Sequence, residues 1–522
     1  MLKLDKSKIE LNEQFQKALA LIENTNKHIF ITGRAGTGKS TLLNYARLIT
    51  KKKIVVLAPT GVAAVNINGQ TIHSFFGFKP DVTISKLKKV SGDRQKIYKK
   101  IDAIIIDEVS MVRADLLDCV DVFLRLNGKN KKESFGGIQM IFIGDLYQLP
   151  PVITAKEKSI FAGQYKSGYF FSAFAFQNIE MEFIELEKIY RQKDEKFIGL
   201  LNSIRNNSAT AEDLATLNER FKPDFKPKEQ DFYVYLTTTN DLSRQINDEH
   251  LAKIKSDSYY FEGRIKGEFE EKYLPTDVGL ELKIGAQVML LNNDSQGHWI
   301  NGSIGKIIEI EKGEEGDAAI ILVELDSDEI VEVTPYEWTL YNYAYNSRLK
   351  ILETETVGSF TQYPLKLAWS FTIHKSQGKT FPRVIIDIGR GTFAHGQMYV
   401  ALSRCVSLEG LVLKKEIKKQ HIFIDWRVVE FVTKYQYKIS DQKMPLERKI
   451  EMIKKAIKNH RQLEISYLKA KDEKSQRVIT PRIVGEMEYM EVKYIGVKGF
   501  CHKSNADRVF KVERILEMRE VE

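Results

Sequence analysis

The chain has 522 residues, 43% hydrophobic and 29% charged, with 79 lysines and arginines against 70 aspartates and glutamates. That length exceeds what one hydrophobic core supports and predicts three or four domains; no apolar run approaches the ~20 residues that span a bilayer, which excludes a helical membrane protein. Cys119, Cys405 and Cys501 lie too far apart for a metal-ligand spacing or a disulfide framework, and the net charge of +9 is a weak pointer to a polyanionic partner.

The first ten residues, MLKLDKSKIE, have neither the apolar centre of a secretion signal nor the Arg/Ser-rich, acid-poor character of a transit peptide, so a cytoplasmic protein is expected. LNEQFQKALALIE follows as an amphipathic helix with Leu11, Phe15, Ala18, Leu19 and Ile22 on one face. Gln14 and Gln16 stand on it just ahead of the next element. A glutamine amide there either pairs with an adenine edge, donating and accepting at once, or belongs to a solvated helix face.

His28–Leu43, HIFITGRAGTGKSTLL, reads as strand, glycine-rich turn and helix. Gly33, Gly36 and Gly38 let the backbone fold tightly enough for successive N–H groups to converge on one anion. Thr37 and Thr41 belong to the same loop; Lys39 reaches the outer phosphates and the Ser40 hydroxyl ligates Mg2+, with the positive end of the helix behind them. The ligand of such a loop is a nucleoside triphosphate.

Ile54–Ala58 has the continuous apolar character of a parallel strand buried on both faces. Thr60, Gly61, Thr71, His73 and Ser74 gather past its carboxyl end, where open α/β sheets place ligands. Gly77–Lys100 carries eight lysines and arginines against Asp81 and Asp93, and is either a solvated face or a small basic insertion touching phosphates. AIIIDEVSM, Ala103–Met111, is a second buried strand ending in two carboxylates: Asp107 to hold magnesium and Glu108 to take a proton from the attacking water. FGGIQMIFIGDLYQLPPV repeats the pattern, and Gln148 is the neutral amide that reports the γ-phosphate.

Past Glu182 the pattern restarts as a second α/β domain. IELEKIYRQKDEKF carries Arg191. DFYVYLTTTNDLSRQIN is a strand ending near Thr238 and Asn240, and LKLAWSFTIHKSQGKTFPRVIIDI holds His374, Lys375 and Gly378 in a polar knot between two apolar runs. YVALSRCVSLEGL closes the domain with Arg404. Arg191 and Arg404 each stand beside a polar turn, from which a guanidinium swings onto a γ-phosphate held by the first domain, or are ordinary surface arginines. LKIGAQVMLLNNDSQGHWINGSIGKIIEI, with its Asn-Asn and Asn-Gly turns, predicts a compact antiparallel β insertion.

In order over about Leu11–Trp426, GRAGTGKST, APTGVAAVNINGQTIHSFF, IIIDEVSM, FGGIQMIFIGDLYQLPPV, YRQ, GAQVMLLNN with NGSIG, AWSFTIHKSQGKT and YVALSRC resemble the motifs of superfamily-one DNA helicases, specifically the petite-integration-frequency (PIF) helicases of the 5′→3′ branch. The resemblance implies an α/β fold of two RecA-like P-loop domains. Residues 1–185 would form the first, with a small insertion at about Gly77–Lys100; residues 186–430 would form the second, with a Src-homology-type β-barrel insertion at about Leu280–Asn342. It implies an ATP-dependent helicase that moves 5′→3′ on single-stranded DNA and unwinds duplex, G-quadruplex or RNA–DNA hybrid in replication, repair or recombination. ATP and Mg2+ are the implied cofactors, forked or structured DNA the partner, a monomer the motor, and a bacterial-type cytoplasm and nucleoid the location.

Residue by residue, the resemblance makes Gln16 the adenine reader and Gly33, Gly36, Thr37, Gly38, Lys39, Ser40, Thr41 and Gly378 the nucleotide contacts. Ser40 and Asp107 hold the metal, and Lys39, Glu108, Gln148, Arg191 and Arg404 carry hydrolysis. Thr60, Gly61, His73, Ser74, Thr238, Asn240, His374 and Lys375 lie on or near single-stranded DNA. A family signature segment corresponds to Met111–Gly136, with Asp115, Asp118 and Arg125.

After a Lys-rich linker, residues 431–450, the stretch Glu451–Glu522 is similar to a WYL domain, a small β-rich ligand-sensing barrel, with Lys493-Tyr494-Ile495 where the naming triplet falls. Arg477, Arg482, Lys493, Lys498, Lys503, Arg508, Lys511 and Arg514 are interleaved with Tyr494 and Phe500. That mix either grips single strands, serves a small-ligand module, or is a barrel whose rings fill the core and whose cations solvate it. Two rival functions stay open on the residues alone: a nucleic-acid-independent P-loop ATPase regulated through the C-terminal module, and an RNA helicase.

Overall fold

The computed structural model describes residues 11–79, 82–153, 163–192, 194–269, 274–294, 296–311, 318–346, 351–469, 474–489 and 491–521. The N-terminal decapeptide read above for targeting, and Asp81 of the basic segment, lie outside the described residues. The chain divides into two compact units, Met1–Leu201 with Ala211–Ile422, and Asn202–Thr210 with Phe423–Glu522.

Two parallel sheets organise the larger unit. The first is built from β1 (His28–Gly33), β2 (Ile54–Ala58), β3 (Gln70–Thr71), β4 (Ala103–Ile106), β5 (Gln139–Gly144) and β6 (Met181–Leu186), in the spatial order β3-β2-β4-β5-β1-β6. Every pair is parallel. The apolar runs are continuous because both faces are covered: Ile29, Ile31, Val56, Ile105 and Ile141 pack on one face with Leu42, Leu43 and Ala46 of the helix Lys39–Ile49 and with Phe15, Ala18 and Ile22 of the helix Glu13–Asn24, and Phe30 and Phe142 meet Phe170 and Phe176 on the other. Each of the larger of these side chains, removed from water, contributes about 1.5–3 kcal/mol. Since all strands run one way, their carboxyl ends share one edge, and the segments leaving β1, β4, β5 and β6 emerge side by side there.

The second sheet, also parallel, has Ser370–Thr372, Val234–Thr237, Val384–Asp387 and Leu411–Leu413 in that order across it. Between its pieces the chain turns antiparallel. A five-stranded sheet from Gln287 to Leu367 encloses Val288, Ile307, Val323 and Leu365, and a long hairpin, Tyr336–Asn346 with Ile351–Gln362, pairs with Arg264–Gly267 near its base. The β region is thus wider than the expected Leu280–Asn342: it begins at Ser258 and ends at Leu367, because the hairpin's return strand and a closing edge strand follow Asn342. The hairpin reaches the first sheet. Among the described residues β3 pairs only with Leu57 and Ala58 of β2, and the Tyr343 hydroxyl accepts the Val56 N–H beside them at 3.4 Å, so this backbone donor has a partner. Asn342 accepts the Gln70 amide, and the Tyr343 ring meets Phe75 edge-on at 5.8 Å.

In the smaller unit, the stretch expected as a linker over 431–450 is helical: Trp426–Lys443 is an 18-residue helix, and Leu446–Lys458 follows it. Val428, Val432, Gln436 and Ser440 recur every fourth residue on the buried side. Half of that stripe is polar, which hid it from a search for apolar periodicity. The Ser440 hydroxyl donates to the Leu516 carbonyl at 2.7 Å and accepts from the Lys449 ammonium at 2.7 Å. A five-stranded antiparallel sheet, in the order Ala506–Lys511, Val492–Cys501, Lys474–Tyr489, Leu463–Leu468, Ile515–Glu520, closes on Ile453, Ile465, Val497, Cys501 and Phe510. Strand alternation turns Ile495, Val497 and Cys501 inward and so sends Tyr494, Lys498 and Phe500 to the outer face. Tyr494 and Phe500 are half-buried there and do not fill the core. Several of the cations have local partners: Arg482 pairs with Asp507 at 2.9 Å, Lys493 with Glu486 at 3.1 Å, and Lys511 sits 4.6 Å over the Tyr494 ring.

Candidate nucleotide and nucleic-acid site

The phosphate loop leaves β1 at Gly33. Gly36 and Gly38 have φ of 81° and 83°, the left-handed region that favours glycine. A Cβ on Gly36 would also lie 2.5 Å from the Arg191 Cβ, and one on Gly33 2.5 Å from the Thr37 hydroxyl. Thr37 donates to the Arg34 carbonyl at 2.9 Å. The Lys39 ammonium is held by the Gly33 and Arg34 carbonyls at 2.7 and 2.9 Å; burial lowers its pKa, while Asp145, Glu108 and Asp107 act to raise it. Ser40 and Thr41 open the following helix. Gln16 is on the helix just upstream with its amide exposed and donating to the Leu11 carbonyl at 3.0 Å, while the neighbouring Phe15 ring lies against Gly38.

Asp107 and Glu108 follow β4. Asp107 is 7% exposed and desolvation raises its pKa. Glu108 has φ of 49°, an uncommon conformation for a non-glycine residue and a mark of stored local strain. Burial first, and Asp107 second, push its carboxyl up to about 7, the range in which a carboxylate serves best as a general base at neutral pH. At the end of β5 the buried Asp145 accepts from the Gln148 amide at 3.3 Å.

The second sheet faces this edge across a cleft of about 390 Å³ lined by Ser40, Asp107 and Glu108 on one side and His374, Lys375, Gln377 and Gly378 on the other. Gly378 has φ of 82°. Arg191 and Arg404 stand outside that lining but close enough for Arg191 to act on the charge of Arg404, and Arg404 is not a swinging group. Arg404 is 1% exposed. Its guanidinium donates to the carbonyls of Val400, Lys379 and Ser376 at 2.9, 3.1 and 3.4 Å and to the Ser403 hydroxyl at 2.9 Å. Burial, and Arg191 beside it, bring its pKa down to about 9. Arg191 donates to the Ser403 carbonyl at 3.3 Å and to that of Gly378 at 3.5 Å.

Of the nucleic-acid candidates, Thr60, His374 and Lys375 line the cleft together. Thr60 caps the helix that begins at Gly61, and His73 and Ser74 sit on the short helix Ile72–Phe76 outside that lining. Thr238 turns inward, its hydroxyl donating to the Ile388 carbonyl at 3.5 Å, while Asn240 is exposed at the start of the helix Asn240–Lys253. The signature residues serve the fold. Asp118 accepts from Ala175 and Phe174 N–H at 2.8 and 3.2 Å, Asp115 pairs with Arg113 and Arg125 with Asp121, both at 2.7 Å.

Three residues were missed in the sequence. Gln377 donates to Glu108 Oε2 at 3.1 Å and to Gln148 Oε1 at 3.3 Å across the cleft; its only signal was its place beside Gly378. The Tyr399 hydroxyl accepts the Ala35 N–H of the phosphate loop at 2.9 Å, with no signal but its nearness to Arg404. Phe393, 63% exposed, stacks on His374 with centroids 6.1 Å apart and planes 14° apart, and an aromatic in a Gly-rich loop was the available hint.

A family model described as PIF1-like helicase matches residues 9–214, and one described as WYL domain matches residues 448–520. The chain is 31% identical over 443 residues to ATP-dependent DNA helicase Pif1 of Campylobacter jejuni, an alignment spanning 78% of this chain and 95% of that protein. Among solved structures, unliganded Pif1 from Bacteroides sp matches with a TM-score of 0.74 at 38% identity, over 82% of this chain and 97% of that one. Bacteroides Pif1 bound to ssDNA matches with a TM-score of 0.60 at 37% identity, over 82% and 98%. Near-equal identity and coverage with a lower score means a difference in how the same parts are arranged.

Proposed function

The chain belongs to the PIF1-like helicase family, and from that premise we propose that it is an ATP-dependent DNA helicase that moves 5′→3′ along single-stranded DNA and opens forked duplex, G-quadruplex or RNA–DNA hybrid. The observation that carries this reading is the cleft itself: Ser40, Asp107 and Glu108 of the first lobe face Gln377 and Gly378 of the second in a space that His374 and Lys375 also line. Nucleotide chemistry and strand contacts in one cleft let each hydrolysis cycle change the grip on the strand.

In this reading ATP is the substrate. Lys39 and the loop N–H groups bind its outer phosphates, Gln16 reads adenine, Glu108 takes the water's proton, and Gln148, Arg191 and Arg404 sense and stabilise the γ-phosphate. Arg404 needs no travel within its own lobe, because backbone carbonyls hold it in place. Mg2+ fits the donors present, since the Ser40 hydroxyl and the Asp107 carboxylate are hard oxygens lining one cleft, and Asp107 is a desolvated carboxyl that a cation would keep ionised. Bound there, the ion would neutralise phosphate charge. Thr60, Gly61, His73, Ser74, Asn240, His374 and Lys375 form the strand path, with Phe393 stacking on a base, and the inward-turned Thr238 lies behind it.

We assign residues 1–185 to the first motor lobe, 186–201 with 211–422 to the second, and the C-terminal module to auxiliary binding of single strands or a small ligand. The motor works as a monomer, in the cytoplasm and nucleoid of a bacterial cell; no helix among the described residues is long and apolar enough to cross a membrane, and all three cysteines are free thiols. The test is unwinding of duplexes carrying only a 5′ or only a 3′ single-stranded tail, with Lys39→Ala as control. Opening of the 5′-tailed substrate alone, dependent on ATP and Lys39, is the expected result. Opening of the 3′-tailed substrate, or ATP turnover indifferent to DNA, refutes the proposal.

A further inference from the structure

We propose that Gln377 is a positioning residue that restrains Glu108 and Gln148 until single-stranded DNA engages the turn on which it sits, and so makes ATP hydrolysis DNA-dependent. The inference rests on reading Glu108 as the base and Gln148 as the γ-phosphate sensor. Gln377 belongs to a turn locked as one piece. After the strand Ser370–Thr372, Ile373 N–H bonds to the Thr237 carbonyl at 2.9 Å, Ser376 N–H to that of Thr372 at 3.0 Å and Gln377 N–H to that of His374 at 3.2 Å. The buried Ser376 hydroxyl donates to the Ile373 carbonyl at 2.8 Å, and Arg404 bonds to the carbonyls of Ser376 and Lys379, on either side of Gln377. His374, Lys375 and Gln377 therefore move together.

One end of the turn presents His374, stacked on the exposed Phe393, and the exposed Lys375. The other presents the Gln377 amide to the hydrolytic groups. Gln148 gives its own N–H to Asp145 Oδ2 at 3.3 Å, so its oxygen faces Gln377. The two protons of the Gln377 amide then go one to Gln148 Oε1 and one to Glu108 Oε2. A carboxylate oxygen that accepts an amide proton has fewer lone pairs left for water. An amide oxygen in the same embrace is fixed away from any other donor. Both groups on which hydrolysis depends are thus engaged by a residue whose position follows the strand-facing side chains. Displacing the turn frees them.

The experiment measures ATP turnover of the full-length protein with and without saturating oligothymidylate, and its affinity for that oligonucleotide, for wild type and Gln377→Met. Methionine keeps the length of the side chain and deletes both hydrogen bonds, and the position is half-buried at the cleft wall, so no core cavity forms. Turnover without DNA is expected to rise about tenfold, the factor corresponding to one lost hydrogen bond to a charged group. Turnover with DNA and DNA affinity stay near wild type, so the stimulation ratio falls by the same factor. Gln377→Glu, which sets a carboxylate against Glu108, gives the same direction if the restraint acts through these contacts. Unchanged turnover, or basal and stimulated rates that fall together, overturns the proposal. The double variant Glu108→Gln, Gln377→Met distinguishes failure of the underlying reading: turnover that persists there means Glu108 is not the base, whatever Gln377 does.

Discussion

Ending the chain at Lys443 places the cut just after the helix Trp426–Lys443, which the sequence presents as a linker and the structure shows as part of the C-terminal unit. Val428 and Val432 on its buried stripe are 2% and 3% exposed. The cut removes the Leu516 carbonyl and the Lys449 ammonium that Ser440 bonds, a loss of about 2–4 kcal/mol at about 0.5–1.5 kcal/mol for the neutral bond and about 1.5–3 kcal/mol for the one to the ammonium. An isolated helix of this length is marginal in water, so nothing offsets that loss. A chain ending at Lys443 should therefore carry an unfolded tail, whereas one ending at Ile422 should not. Both remain DNA-stimulated ATPases, and both melt earlier than the full chain because Asn202–Thr210 loses the unit with which it clusters. Far-UV circular dichroism and limited proteolysis decide the matter: trypsin should trim the longer chain back to about Ile422. A longer chain that retains the extra helical signal and resists trimming would refute the reasoning.

Lys39→Ala should abolish hydrolysis, because it removes the cation expected at the outer phosphates, while filter binding shows single-stranded DNA still held; appreciable turnover would refute the phosphate-loop assignment. Phe393→Ala should weaken binding of a short single strand by about 1–3 kcal/mol, the usual worth of one stacked base, without changing DNA-independent turnover; equal affinities would remove Phe393 from the strand path. Lys449, 3% exposed, is held below the ordinary lysine pKa by burial, with Asp441 partly opposing. The unfolded chain then keeps its proton where the folded chain has lost it, so wild-type stability rises with pH between the lowered pKa and the ordinary one. Lys449→Met should stabilise the C-terminal unit by about 1–2 kcal/mol at neutral pH and flatten that rise; urea melts at pH 7 and pH 10 that coincide in difference would contradict it.

What was legible in the sequence follows from how parallel sheets work. Apolar runs long enough to be buried on both faces marked β1, β2, β4 and β5, and polar residues after each run marked the shared edge, so Lys39, Ser40, Asp107, Glu108 and Gln148 could be placed at that edge without the fold. Gln377 could not, because its meaning lies in a contact spanning 269 residues of sequence separation to Glu108. The Tyr336–Gln362 hairpin shows the same limit: its alternation announces strands, but not that Tyr343 would cap Val56 on another sheet. The helix Trp426–Lys443 was missed for a different reason, since Gln436 and Ser440 take positions that the pattern reserves for apolar side chains. Arg404 was misjudged in character. An arginine next to a polar turn reads as exposed, and only the carbonyls of three separate residues around it account for its burial.

The phosphate loop is braced by the segment that follows β6. The Tyr190 N–H bonds to the Gly36 carbonyl at 2.9 Å, and Arg191 lies so close that Gly36 has no room for a side chain. That same segment carries the backbone from the first sheet toward the second. The connection between the two sheets is therefore also a wall of the phosphate loop, and a change in the loop's contents presses on that connection directly, with no intervening lever. Substitutions between Glu187 and Gln192 should then be felt twice, as altered nucleotide affinity and as altered opening of the cleft, and the two effects should resist separation by mutation.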